Sequence, residues 1–151
     1  MKDLFIEKMY EWSKKPYQKF LKKNEPWAIS KKELLALPKE SLGFHLGCFL
    51  IKYNFDMQPK LEDHDVIHVL TNTGISVKEE IGMQYYLYGN GKRSLYLYLV
   101  IISGTCFYPT EIKYFINEYC RGKKALKFHY IDHSKMLHIP VIKIQETFKI
   151  K

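Results

Sequence analysis

SLYLYLVIISGTCFYPT, residues 94–110, decides the fold class: it is a long uncharged stretch and it reads two ways. Leu95, Leu97 and Leu99 alternate with Tyr96 and Tyr98, and Val100-Ile101-Ile102 brings β-branched residues. Taken alone, that pattern leans toward a strand. The stretch falls short of the about 20 apolar residues that a transmembrane helix needs, and it carries Ser, Thr, Gly, Pro and three Tyr. A buried helix, or one wall of a lipid-binding cavity, is the expectation if it is not a strand.

Working outward from it, the punctuation is that of helices. Pro109 stands where a helix favours its first residue, and Ile112, Phe115, Ile116 and Tyr119 follow at helical spacing. That helix is expected to end at Arg121-Gly122. Upstream, Ser76-Val77-Lys78-Glu79 is a capping box, in which the serine accepts from the backbone and the glutamate reaches back. Its helix should run to Tyr88 and close at Gly89-Asn90-Gly91. Glu62-Asp63 precede a helix over His64–Thr71, ended by Asn72-Thr73-Gly74 with Gly74 suited to a left-handed cap. A second capping box, Ser30 to Glu33, starts a short helix over Lys31–Leu37 that stops before Pro38. A helix over Ser41–Tyr53 carries the stripe Leu42, Leu46, Phe49, Leu50 and Tyr53, with Gly43 and Gly47 sharing a face open to close approach. Residues 54–60, with Pro59, read as a loop. A first helical segment over 3–23 is interrupted by Pro16, and a short helix should follow Pro140 with Val141, Ile144 and Phe148 apolar. The consistent answer is all-α: a compact, single-domain helical bundle over 28–151 with an N-terminal helical extension over 1–27.

The chain has 151 residues with 24 Lys+Arg against 16 Asp+Glu, a formal charge of +8. Hydrophobic residues make up 46%, enough to bury a core, so general disorder is excluded. Cys48, Cys106 and Cys120 have no CxxC spacing and three cannot pair completely, so a disulfide framework is not expected. The positive charge is spread and almost all lysine, with Arg only at 93 and 121. Base-reading proteins lean on arginine's fork. A solvated lysine surface, able to rest on anionic lipid, is therefore expected, and nucleic acid is not. The N-terminus, MKDLFIEK, has no apolar run for a signal peptide, and its Asp3 and Glu7 argue against a transit peptide.

The chemistry concentrates in DHDVIHVLT, residues 63–71. His64 and His68 are four apart, so both imidazoles lie on one helix face and can reach one metal ion. Asp65 lies about 100° round the helix from His64, at the edge of that face, placed to ligate or to orient a histidine. Glu80 falls just past the capping box at Ser76, so the break at 72–75 turns it back toward the histidines. A helix-pair corner of His64, Asp65, His68 and Glu80 suits a divalent cation: zinc first, with iron(II), manganese or cobalt as alternatives. His129 and His133 repeat the spacing, with Asp132 between and His138 beyond, but without a nearby run of acids. His45 reads as a core histidine. There is no Ser-His-Asp arrangement, phosphate loop or dinucleotide fingerprint.

The run His64-Asp65-x-x-His68, eleven residues, then Glu80, resembles the signature of the Coq-four family of coenzyme Q (ubiquinone) biosynthesis proteins. The flanks agree. Residues 63–71 resemble the family's HD-x-x-HVLT segment. Glu80-Ile81-Gly82 resembles its GE-[LI]-[AG] segment, although Glu79 stands where Gly is common. Leu37-Pro38, Ser41-Leu42-Gly43 and Phe49-Leu50 resemble its LP…LG…FL stretch. Residues 119–125 resemble its basic R-G-[RK]-x-A run, and residues 140–150 its C-terminal segment. The resemblance covers residue 28 to the end.

It implies an all-helical fold, and so a helix over 94–110. It also implies a homodimer, peripheral on a membrane, working beside other quinone-biosynthesis proteins. Without a targeting segment, the expected place is the bacterial cytoplasm on the inner face of the membrane. For a eukaryotic chain it would be the matrix side of the mitochondrial inner membrane. The implied activity is metal-dependent decarboxylation, oxidative in some accounts, of a polyprenylated hydroxybenzoate, with His64, Asp65, His68 and Glu80 as metal ligands. The Gly43/Gly47 helix and the helix over 94–108 would line a groove for the prenyl tail. The alternative is a non-enzymatic protein that binds an isoprenoid lipid or scaffolds quinone-biosynthesis enzymes.

Overall fold

Four serines start four of the helices. Ser30, Ser41, Ser76 and Ser94 each hold extended backbone and accept from an amide three residues on. Each satisfies one of the donors that a helix start leaves orphaned, worth about 1 kcal/mol. At Ser30 and Ser76 both halves of the capping box are formed, by Glu33 and Glu79. Glu79 therefore has a local task of its own, closing the cap of that helix.

In the computed structural model, Leu4 and residues 26–57 and 62–151 are described. Apart from Leu4, the expected helices over 3–23, and most of the extension over 1–27, lie outside the described residues. Seven α-helices are present among those described: α1 (Lys31–Leu35), α2 (Leu42–Lys52), α3 (Glu62–Thr71), α4 (Val77–Gly89), α5 (Leu95–Phe107), α6 (Ile112–Lys124) and α7 (Val141–Phe148). Short 3-10 turns cover Pro109–Glu111 and His133–Met136. No strand occurs among the described residues; the only sheet-like pairing there is an isolated bridge between Ser41 and Pro140.

The segment over 94–110 is thus a helix. Its alternating residues are leucine and tyrosine, both able to pack, so the period of two never separated a wet face from a dry one. The expectation that it is buried fails. Only Leu97 and Gly104 are buried, and Leu95, Leu99 and Ile102 are more than half exposed.

The core runs from α1 to the C-terminus through Leu34, Leu42, Leu46, Leu50, Val66, Leu70, Met83, Tyr86, Leu97, Phe128 and Ile144. The closest helix pair is α4 on α6, where the backbones meet at two glycines. A methyl on Gly89 would overlap the Tyr119 carbonyl oxygen, and one on Gly122 that of Tyr86. This corrects the reading of Gly122 as a helix end: α6 continues through it to Lys124 because the residue serves close approach rather than termination. Asn90, 1% exposed, fastens the same pair. Its Nδ2 donates to the Gly122 and Leu126 carbonyls, and its Oδ1 accepts from the Phe128 amide.

The C-terminal segment is sewn to the start of α2. The amides of Leu42 and Gly43 donate to the Ile139 and Leu137 carbonyls, both at 2.8 Å. Gly47 faces Leu34 and Leu35 of α1, and Gly43 meets Leu37 just beyond that helix, with Leu137 closing over it. The glycine face expected to line a lipid groove is filled by the protein itself. His45, expected in the core, is exposed.

Candidate metal centre

The α3–α4 corner is built by a tight turn. The Thr73 amide returns to the His68 carbonyl at 3.0 Å, and the Thr71 hydroxyl donates to the Ile67 carbonyl and lies 2.6 Å from that of Thr73. The left-handed residue is Asn72, at φ 53°, not Gly74 as expected. Gly74 is small for another reason: a Cβ there would meet the Glu79 carboxylate that closes the capping box.

This turn brings three candidate ligand side chains together. His68 Nε2 lies 3.1 Å from His64 Nε2 and 3.1 Å from Glu80 Oε1, and His64 Nε2 lies 3.3 Å from Glu80 Oε2. With metal–ligand distances of about 2.0–2.1 Å, two ligands on a tetrahedral ion sit about 3.3–3.4 Å apart. The observed separations are close to that spacing, with each imidazole facing a different oxygen of Glu80. His68 Nδ1 lies 3.2 Å from the Thr73 carbonyl, which only accepts, so Nδ1 carries a proton and Nε2, once deprotonated, is the nitrogen left to ligate. The ring is 2% exposed and stacks on Phe49 at 5.4 Å. Glu80 Oε2 is buried and makes no hydrogen bond. The donor set fits a divalent cation, and it is the only such group of three or more among the described residues.

Asp65 lies outside this trio. Its charge nevertheless acts on His68, helping to favour the protonated ring. Sequence spacing missed the Thr73 carbonyl and the Phe49 stack, which hold His68 in place. The pair His129 and His133 does not converge: His129 Nδ1 lies 3.3 Å from Asn90 Oδ1, while His133 donates from Nδ1 to Asp63 at 2.8 Å.

The metal-free site is electrostatically coupled. Burial pushes His64 down, against the pull of Glu80. Burial also opposes charge on His68, but the hydrogen bond and charge of Glu80 outweigh it and raise that pKa. Burial alone would raise Glu80; the two imidazoles overcome it and hold the carboxyl at about 2. The unfolded chain, with an ordinary carboxyl, then binds the proton first as pH falls. Glu80's contribution is complete above the unfolded pKa of about 4.5 and lost between there and about 2. The metal-free protein should therefore lose roughly 3 kcal/mol from this group on acidification, read as a falling urea midpoint. A Glu80→Gln variant should lack that component of the acid slope; an unchanged slope would show that the carboxylate is not held by the histidines.

A solved structure from Nostoc punctiforme PCC 73102, described as a "Putative ubiquinone biosynthesis protein", has this fold. The TM-score is 0.66 at 17% identity, over 99% of this chain and 81% of that one. At such identity the likeness is one of fold. The chain matches no protein-family model and no curated protein.

Proposed function

We propose that the protein serves the biosynthesis of ubiquinone or a related prenylated quinone, as a metal-dependent carboxy-lyase acting on a polyprenylated hydroxybenzoate. The observation that carries the reading is the triangle of His64, His68 and Glu80 at the α3–α4 corner. It is supported by the motif resemblance and by the shared fold with the Nostoc protein.

In this reading the three residues hold a divalent cation, zinc before iron, manganese or cobalt, with Asp65 as a fourth ligand. The Thr73 carbonyl fixes the tautomer of His68, and Phe49 fixes its plane. Glu80 stays ionised in a place where burial disfavours charge, so it offers a full negative ligand at neutral pH. A cation held by these residues would supply Lewis-acid stabilisation of the charge on the substrate's oxygens while the ring carbon takes up a proton and gives up carbon dioxide. An oxygenating variant of the reaction calls for iron or manganese, since zinc does no redox chemistry. The protein works at a membrane surface, as a homodimer, beside the other enzymes of the pathway. The non-catalytic reading, a prenyl-lipid carrier or scaffold, draws on one observation, the exposed uncharged helix α5.

Elemental mass spectrometry of the purified protein, joined to carbon dioxide release from a prenylated hydroxybenzoate, tests the proposal. About one equivalent of metal per chain and release abolished by a chelator are expected. Metal without release, alongside retained lipid, would favour the scaffold; no metal after reconstitution would sink both the site and the lyase.

A further inference from the structure

Helix α5 has thirteen residues and no charge, yet it shows one side to solvent. Leu95, Tyr98, Leu99, Ile102 and Cys106, spaced by three or four, form one exposed stripe. Leu95 is 67% and Ile102 62% exposed. The helix is fastened from behind. Leu97 and Gly104 are buried, a Cβ on Gly104 would meet Ile81 of α4, and the Thr105 hydroxyl lies 2.5 Å from that of Tyr85. The outward side is therefore held in place by α4. Other exposed apolar side chains, Ile51, Ile116, Leu126, Tyr130 and Ile142, belong to other elements.

Charge says what covers the stripe. Residues 92–127 contain Lys92, Arg93, Lys113, Arg121, Lys123, Lys124 and Lys127 against only Glu111 and Glu118. Both acids are engaged inside the chain, Glu111 with Lys78 at 2.6 Å and Glu118 with Arg121 at 2.6 Å. A second copy would bring the same stripe and the same excess of basic residues, because a two-fold interface pairs a patch with itself. An anionic lipid surface offers the opposite charge. At 1.5 Å per residue, α5 is about 20 Å long against about 30 Å of hydrocarbon, so it lies in the interface and does not cross. No single helix among the described residues is long and apolar enough to cross, and α5 and the following helical stretch, Pro109–Lys124, are bent by 104°.

We infer that α5 is a membrane-docking helix. Its Leu95–Leu99–Ile102 side enters the headgroup–acyl boundary of an anionic leaflet, with Arg93, Lys113, Lys123 and Lys124, all exposed, above the phosphates. The inference rests on the membrane location in the reading above and is independent of the metal.

Flotation of the full chain with phosphatidylcholine vesicles, with and without about a quarter phosphatidylglycerol, is the test. The wild-type chain should float with the anionic vesicles and be released by salt. Leu99→Glu/Ile102→Glu should lower partitioning by about tenfold or more with an unchanged helical spectrum. Ile142→Glu, on α7, should float normally, and so should His64→Ala/His68→Ala, which separates docking from the metal site. Equal flotation of wild type and the α5 variant would overturn the inference. So would a wild-type chain that ignores vesicles and forms a dimer that the α5 variant dissociates in sedimentation.

Discussion

His68→Ala should empty the α3–α4 corner of metal while leaving the helices formed. The residue sits at the vertex of the triangle where both 3.1 Å separations meet, so its loss leaves the two more distant ligands, His64 and Glu80. Removing a partner that merely orients a ligand lowers metal affinity by about 10–100-fold; losing the ligand should exceed that. Stability should fall by about 2 kcal/mol, from the cavity beside Phe49 and the lost bond to the Thr73 carbonyl. Glu80 loses one of the two imidazoles that hold its carboxyl down, so its pKa rises toward the ordinary value. His68→Gln fills most of the space without an imidazole and should recover part of the stability and none of the metal. Elemental analysis beside circular dichroism distinguishes the outcomes. A His68→Ala chain that retains a full equivalent of metal would remove this corner as the binding site.

The corner was largely legible in the sequence because its signals are local. Histidines four apart share a helix face whatever surrounds them, and a serine followed by glutamate three residues on dates the start of the next helix, which sets where Glu80 points. What stayed hidden has no side-chain signature. The Thr73 carbonyl that fixes His68 is backbone, and its direction is set by the left-handed Asn72, where the sequence pointed to Gly74. Asp65 follows His64 directly and so joined the expected ligand set; the group that converges is His64, His68 and Glu80, with the Asp65 charge acting on His68. Helix α5 was ambiguous for the opposite reason. Its residues are apolar all round, so no period separates an inside from an outside. The packing of Gly104 on Ile81, with buried Leu97 and the Thr105–Tyr85 contact, shows which side is covered. Gly122 misled because glycine both ends helices and lets them touch, and local sequence carries the first meaning alone.

That second meaning leads to the largest stability effect expected of a single methyl group. Gly122→Ala should destabilise the protein by about 3 kcal/mol or more, a fall in Tm of roughly 10 °C. The added Cβ would overlap the Tyr86 carbonyl oxygen and crowd the carbon behind it, and neither is the end of a side chain that could rotate away. One helix must move. Movement strains the Asn90 bonds to the Gly122 and Leu126 carbonyls and loosens Tyr86, which is fully buried. Gly47→Ala is the matched comparison. It also replaces a helical glycine and gains about 1 kcal/mol of helix propensity, but its Cβ meets only Leu35 and Leu34 side-chain atoms at 3.0–3.3 Å. Its net effect should be within about 1 kcal/mol of zero. Because α4 carries Glu80, a displaced α4 also spreads the ligand triangle, so Gly122→Ala should bind metal more weakly although it touches no ligand. Equal stability for the two variants in urea would mean that α4 and α6 do not meet backbone to backbone, and Glu80 would then owe its position to the α3–α4 turn alone.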